Sequence, residues 1–147
     1  MLNRFPDRAA AGRALGTLLA RYSGRDDVVV LGLARGGMPL AFEVASSLNA
    51  PLDVLVTCKL SAPGVPEFTL GAIASGGVTV INDSAMDLFR DSGELSGDIA
   101  RQQAELRHRE IFYRGARRPV PIEGKTVILV DDGGHRRNHA RCNPRRP

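Results

Sequence analysis

Residues 126–133 read T-V-I-L-V-D-D-G, and no other segment constrains the fold as much. The apolar run stops abruptly on two acids and a glycine. A short continuous apolar stretch closed by polar and turn residues is the pattern of a strand buried on both faces, as in a parallel sheet. Parallel neighbours need long crossovers, usually helices, so the chain is expected to be α/β. Residues 27–33, D-V-V-V-L-G-L, repeat the pattern.

The rest of the chain fits that frame. Asp7 is placed to cap a first helix with apolar positions at Ala9, Ala14, Leu15, Leu18 and Leu19, ending near Ser23 and Gly24. Residues 38–48 read as a second helix, with Leu40, Val44 and Leu48 on one face and Pro39 in its first turn. Residues 52–58 read as a second parallel strand that ends at Lys59. Residues 61–68, with two prolines and a glycine, predict a loop. Residues 70–74 and 78–81 flank Ser75-Gly76-Gly77 as a β-hairpin. A short helix is expected over 83–89, a linker over 91–97, and a polar helix over 98–113 touching the core through Ile99, Leu106 and Phe112. A loop follows, holding Pro119 and Pro121. The expected architecture is a mostly parallel sheet with flanking helices and a small hairpin hood.

The net charge of +4 suggests a nucleic-acid partner, but its distribution does not. Arg136, Arg137, Arg141, Arg145 and Arg146 lie after Gly133 in a stretch with no acid, leaving 15 basic against 16 acidic residues before it. The near-neutral body has no charge excess for a phosphate backbone. Residues 134–147 are therefore read as a solvated, disordered basic tail attached to a domain over 1–133. The two cysteines, Cys58 and Cys142, have no metal-type spacing. His135 and His139 are four apart, but Pro144 and the arginines argue against a helix that would align them. The first residues are charged and lack a signal-type apolar core, so a cytoplasmic location is expected.

Ligands of open α/β sheets bind beyond the carboxyl ends of the strands. Three segments fall there in this reading: 34–37, Lys59 with its following loop, and 131–133. Asp131 and Asp132 can accept hydrogen bonds from a vicinal diol or attract Mg²⁺; equally, they can be a strand end leading into an Asp-Gly turn. Arg35, Gly36 and Gly37 can offer backbone amides and a forked cation to an anion, or form an ordinary glycine-rich turn. Lys59 and Glu67 identify nothing alone.

Taken in order, the pieces resemble the type I phosphoribosyltransferases. The resemblance runs through Arg35-Gly36-Gly37, Pro39, Glu43-Val44-Ala45, Lys59-Leu60, Pro63-Gly64, Pro66-Glu67 and Gly71-Ala72-Ile73-Ala74. It continues through Gly76-Gly77, Arg109-Glu110 and Tyr113-Arg114-Gly115 to the strand ending in Asp131-Asp132-Gly133. It implies phosphoribosyl pyrophosphate with Mg²⁺ as substrate and an acceptor, usually a base nitrogen, that displaces pyrophosphate. Arg35, Gly36 and Gly37 would form the pyrophosphate loop, with Lys59 reaching the same group. Asp131 and Asp132 would hold the ribose hydroxyls. The 61–77 segment, including Glu67, would belong to the hood that selects the acceptor. The acceptor is not named by the sequence, no direct protein metal site is implied, and a homo-oligomer is compatible.

The resemblance stops at Gly133. The family continues with a loop like Ala-Thr-Gly-Ala-Thr that cradles the 5′-phosphate; this chain has Gly134-His135-Arg136-Arg137-Asn138-His139. Written in permitted codons and read one base later, the tail encodes Ala-Thr-Gly-Ala-Thr-Met-Arg. The expectation is a frameshifted, truncated domain with impaired activity. Two other readings stand beside it: a non-catalytic phosphoribosyl-pyrophosphate-binding regulator, and a nucleic-acid binder acting through the arginine tail.

Overall fold

The computed structural model describes residues 5–62, 64–82 and 94–133. The expected helix at 83–89, the first part of the 91–97 linker and the whole tail from 134 lie outside the described residues. The fold is α/β, built as two compact units: residues 5–55 with 113–133, and 56–82 with 94–112.

The first unit holds helix α1 (Arg8–Leu18), strand β1 (Val28–Leu33), helix α2 (Met38–Leu48), strand β2 (Leu52–Leu55) and strand β6 (Thr126–Val130). The three strands form one parallel sheet in the order β2-β1-β6. The central strand is the most apolar, and its Val28, Val29 and Val30 are fully buried. Burial of such side chains contributes about 1.5–3 kcal/mol each. Helix α2 packs on the sheet through Leu40, Ala41, Val44, Ala45 and Leu48, which share a cluster with Val30 and Val130. Gly32 sets how closely it approaches, because a Cβ there would lie 2.8 Å from that of Ala41. Asn49 ends α2 in the left-handed conformation, a cap Asn tolerates well.

Helix α1 begins as expected, with the Asp7 carboxylate accepting from the Ala10 N–H at 2.7 Å. It ends sooner, and residues 20–22 form a separate 3-10 turn. Its fully buried positions are Gly12 and Gly16; of the expected stripe, Leu15 and Leu19 are partly buried against the core cluster and Leu18 is exposed. A Cβ on Gly12 would fall 2.7 Å from that of Glu43, and one on Gly16 2.5 Å from Ser47 Oγ. The two helices thus meet backbone to side chain at glycines, a contact apolar periodicity does not register.

A part-buried ion pair fastens the segment before β6. Arg114 Nε donates to Asp53 Oδ1 at 3.0 Å, and the Val120 N–H donates to Oδ2 at 2.8 Å. The two side chains are 10% and 9% exposed. Arg114 also donates to the Val54 carbonyl, so the loop holding Pro119 and Pro121 is tied to β2.

The second unit is an antiparallel sheet of β3 (Thr57–Ala62), β4 (Val65–Ala74) and β5 (Val78–Ile81), in that order. It corrects two expectations. The run 52–58 is not one strand: it divides at Val56 between the two sheets. The segment 61–68 is not a loop but mostly strand, with register shifts beside Ser61 absorbing the awkward residues. Alternation explains β3, where Cys58, Leu60 and Ala62 are buried and Lys59 is exposed. The β4–β5 hairpin forms as expected: the Gly77 N–H donates to the Ala74 carbonyl at 3.2 Å, and Gly76 and Gly77 both lie at positive φ, which glycine tolerates. Helix α3 (Glu94–Arg114) starts earlier than expected. Of its apolar residues Leu106 is buried, whereas Phe112, expected to touch the core, is 77% exposed.

Candidate functional site

The candidate site lies where β1 and β6 end side by side. These strands are parallel neighbours, with Gly32 opposite Val130, so the segments that follow emerge at one edge of the sheet. One is residues 34–37, the other 131–133. They are packed together: a Cβ on Gly36 would lie 2.2 Å from Asp132 Oδ2, and one on Gly37 would lie 2.5 Å from the Val130 carbonyl oxygen. Both glycines are therefore required by the contact between the segments. Gly36 is half-buried, Gly37 buried, and Arg35 exposed.

The loop's amides divide into two groups. Those of Ala34, Gly37 and Met38 donate to the carbonyls of Leu55, Leu33 and Arg35. Those of Arg35 and Gly36 make no backbone hydrogen bond among the described residues. The peptide between Ala34 and Arg35 is cis. The sequence offered both glycines as anion donors; the fold spends the Gly37 amide on the Leu33 carbonyl at the entry to α2 and leaves those of Arg35 and Gly36 outside the backbone hydrogen bonds of the described residues.

Asp131 and Asp132 are both half-buried. Arg8 reaches Asp132 from the first turn of α1, its Nε and Nη2 donating to Oδ2 at 3.0 and 2.7 Å. Sequence reading missed this residue. Its only signal was a cation in the first helical turn, where the helix dipole disfavours positive charge.

Lys59 and Glu67 belong to the second unit. Lys59 is paired with Ala72 within the antiparallel sheet rather than standing at the end of a parallel strand. Its Nζ donates to the Pro66 carbonyl at 3.1 Å. Glu67 is exposed on β4. Cys58 is buried in β3, and that burial pushes its thiol pKa up, which disfavours the reactive thiolate. Among the described residues no three His, Cys, Asp or Glu side chains converge as a metal cage. Among them, too, no helix is long and apolar enough to cross a membrane.

A parallel sheet with a glycine loop and an acid pair at adjoining carboxyl ends belongs to the open α/β class, in which ligands generally sit beyond the strand ends. The model of the phosphoribosyl transferase domain matches residues 3–133, and the chain belongs to that family. It is 47% identical over 130 residues to two proteins of Mycobacterium tuberculosis, from strains CDC 1551 and H37Rv, each named "Putative phosphoribosyl transferase". The aligned part is 88% of this chain and 29% of each relative, so the chain spans less than a third of their length. Its fold is similar to the crystal structure of TT1426 from Thermus thermophilus, with a TM-score of 0.73 and 44% identity. That match covers 88% of this chain and 62% of the other.

Proposed function

We propose that this domain binds phosphoribosyl pyrophosphate with Mg²⁺, and that its ancestral reaction is phosphoribosyl transfer to an acceptor nitrogen. The observation that carries the reading is the packing of residues 34–37 against Asp132 at the ends of β1 and β6. It sets a glycine-bearing loop beside two carboxylates, an arrangement that suits a sugar carrying a pyrophosphate. In the reaction the bond from the ribose C1 to pyrophosphate breaks, its electron pair leaving on pyrophosphate, while a bond forms from the acceptor nitrogen.

The Arg35 guanidinium and the amides of Arg35 and Gly36 hold the pyrophosphate, where fixed donors stabilise the departing charge. Asp131 and Asp132 accept hydrogen bonds from the ribose hydroxyls and orient C1. Mg²⁺ fits this donor set: it favours oxygen ligands and is commonly bound through one or two carboxylates and substrate phosphates rather than an all-protein cage. Bound in this way it would neutralise charge on the leaving group. Lys59 as a further pyrophosphate contact and Glu67 as part of an acceptor-selecting hood rest on the family pattern.

The family match ends at residue 133, where the basic stretch begins. Residues 134–139 do not read as the family's 5′-phosphate loop, so ligand binding and turnover are both weakened in this reading. The second reading is a regulator that binds phosphoribosyl pyrophosphate without consuming it. Isothermal titration with phosphoribosyl pyrophosphate and Mg²⁺, run beside a pyrophosphate-release assay, tests both. Heat of binding with turnover supports the enzyme, binding without turnover supports the regulator, and no binding rejects both. The frameshift proposal has its own test: the gene read one base later after the Gly133 codon must encode the Ala-Thr-Gly-Ala-Thr loop.

A further inference from the structure

We infer that Arg8 is a positioning residue of the ligand site: it holds the Asp132 carboxylate in place from helix α1, outside both strand-end segments. The inference deepens the proposed reading of the site and rests on it. Two donors of one guanidinium converge on a single oxygen, Asp132 Oδ2, across 124 positions of sequence. Gly36 stands against the same oxygen, so Oδ2 is flanked by the guanidinium and the loop backbone. The Asp132 side chain is 15% exposed and that of Arg8 61%.

The placement of Arg8 points the same way. The first turn of α1 contains no acid, and its positive end repels a cation. Helix stability therefore does not account for Arg8; the carboxylate does. A carboxylate that accepts a hydrogen bond from a sugar hydroxyl must be aimed, and small errors in aim are costly to orientation. Arg is suited to the task because its fork is planar and its charge does not titrate in the physiological range. Lys retains the charge and loses the fork.

The test titrates phosphoribosyl pyrophosphate with Mg²⁺ into the wild-type chain, Arg8→Ala, Arg8→Lys, Asp132→Asn and the double variant Arg8→Ala/Asp132→Asn, with thermal unfolding of each. Arg8→Ala is expected to bind about two- to fivefold more weakly, the upper part of the range for a solvent-exposed ion pair. Arg8→Lys is expected to recover part of that loss, and Arg8→Ala to add none in the Asp132→Asn background. Wild-type affinity in Arg8→Ala overturns the inference, as does an equal loss in both backgrounds. Should Arg8→Ala fold poorly, Arg8→Lys is compared with Arg8→Gln, and equal affinities overturn it. Failure of the wild-type chain to bind overturns the underlying reading and this inference with it; binding unaffected at Arg8 overturns the inference alone.

Discussion

Gly36 and Asp132 occupy the same corner of the site: a Cβ on Gly36 would come within 2.2 Å of Asp132 Oδ2. The glycine is therefore a condition for the acid's position. The loop after β1 and the acid pair after β6 act as one unit, and a change in either reaches the other.

Gly36→Ala should accordingly move Asp132 or push the loop away. Overpacking of this kind costs about 1–3 kcal/mol. Chemical denaturation should show a lowered midpoint, and titration with phosphoribosyl pyrophosphate a weakened affinity. An alanine variant with wild-type stability and affinity would show that the corner relaxes freely.

Asp53→Asn should be among the most damaging single substitutions outside the site. It removes the charge that faces the part-buried Arg114 guanidinium across a 3.0 Å contact. Breaking a buried pair on one side costs about 3 kcal/mol. The loss should appear as a fall in the urea midpoint and should shrink when Arg114→Leu is added. An unchanged midpoint in the single variant would exclude a stabilising role.

Acid should weaken the fold through the same residue. Burial is the largest single influence on Asp53 and opposes its ionisation, but the Val120 N–H, Arg114 and the Val54 N–H together outweigh it and hold its pKa below the ordinary 3.8. The folded state thus takes up this proton less readily than the unfolded chain. The contribution is complete above the unfolded value and is lost as pH falls through the lower folded one. Stability measured from about pH 6 down to about pH 3 should decline more steeply in the wild type than in Asp53→Asn. Asp27 adds in the same direction, its pKa lowered chiefly by the hydrogen bond from Arg25. Parallel curves for wild type and variant would remove Asp53 from the account.

Strand β6 should make the protein prone to self-association. Val127 and Leu129, alternate residues on one face, are 39% and 54% exposed, and among the described residues β6 pairs only with β1. An apolar strand at a sheet edge is a template for another chain. Sedimentation should show concentration-dependent association that Leu129→Lys reduces. Identical profiles for the two proteins would place any association elsewhere.

Much of this fold is legible along the chain because it is written locally. Val28–Leu33 declares a buried strand by composition, Pro39 and Asn49 bracket α2, and Gly76-Gly77 dictates a tight turn. The family resemblance carried the pairing of residues 35–37 with 131 and 132 as site segments. The division of the 52–62 stretch escaped, since one apolar run continues across two sheets and no residue at Val56 announces the change. The strand character of 65–68 escaped because its turn-type residues are accommodated by shifts in register. Gly12 and Gly16 escaped because periodicity records large side chains, and these two contact positions have none.

The sequence by itself determined the layer architecture, the end of the family pattern at Gly133 and the residue types of the site, since period, composition and turn chemistry are properties of neighbours in the chain. Only the tertiary structure decided which partners those residues meet. Arg8 and Asp132 are 124 positions apart, and Asp53 and Arg114 are 61. No local rule relates such pairs; the parallel register of β1 with β2 and β6, and the seating of α1 on α2, bring them together.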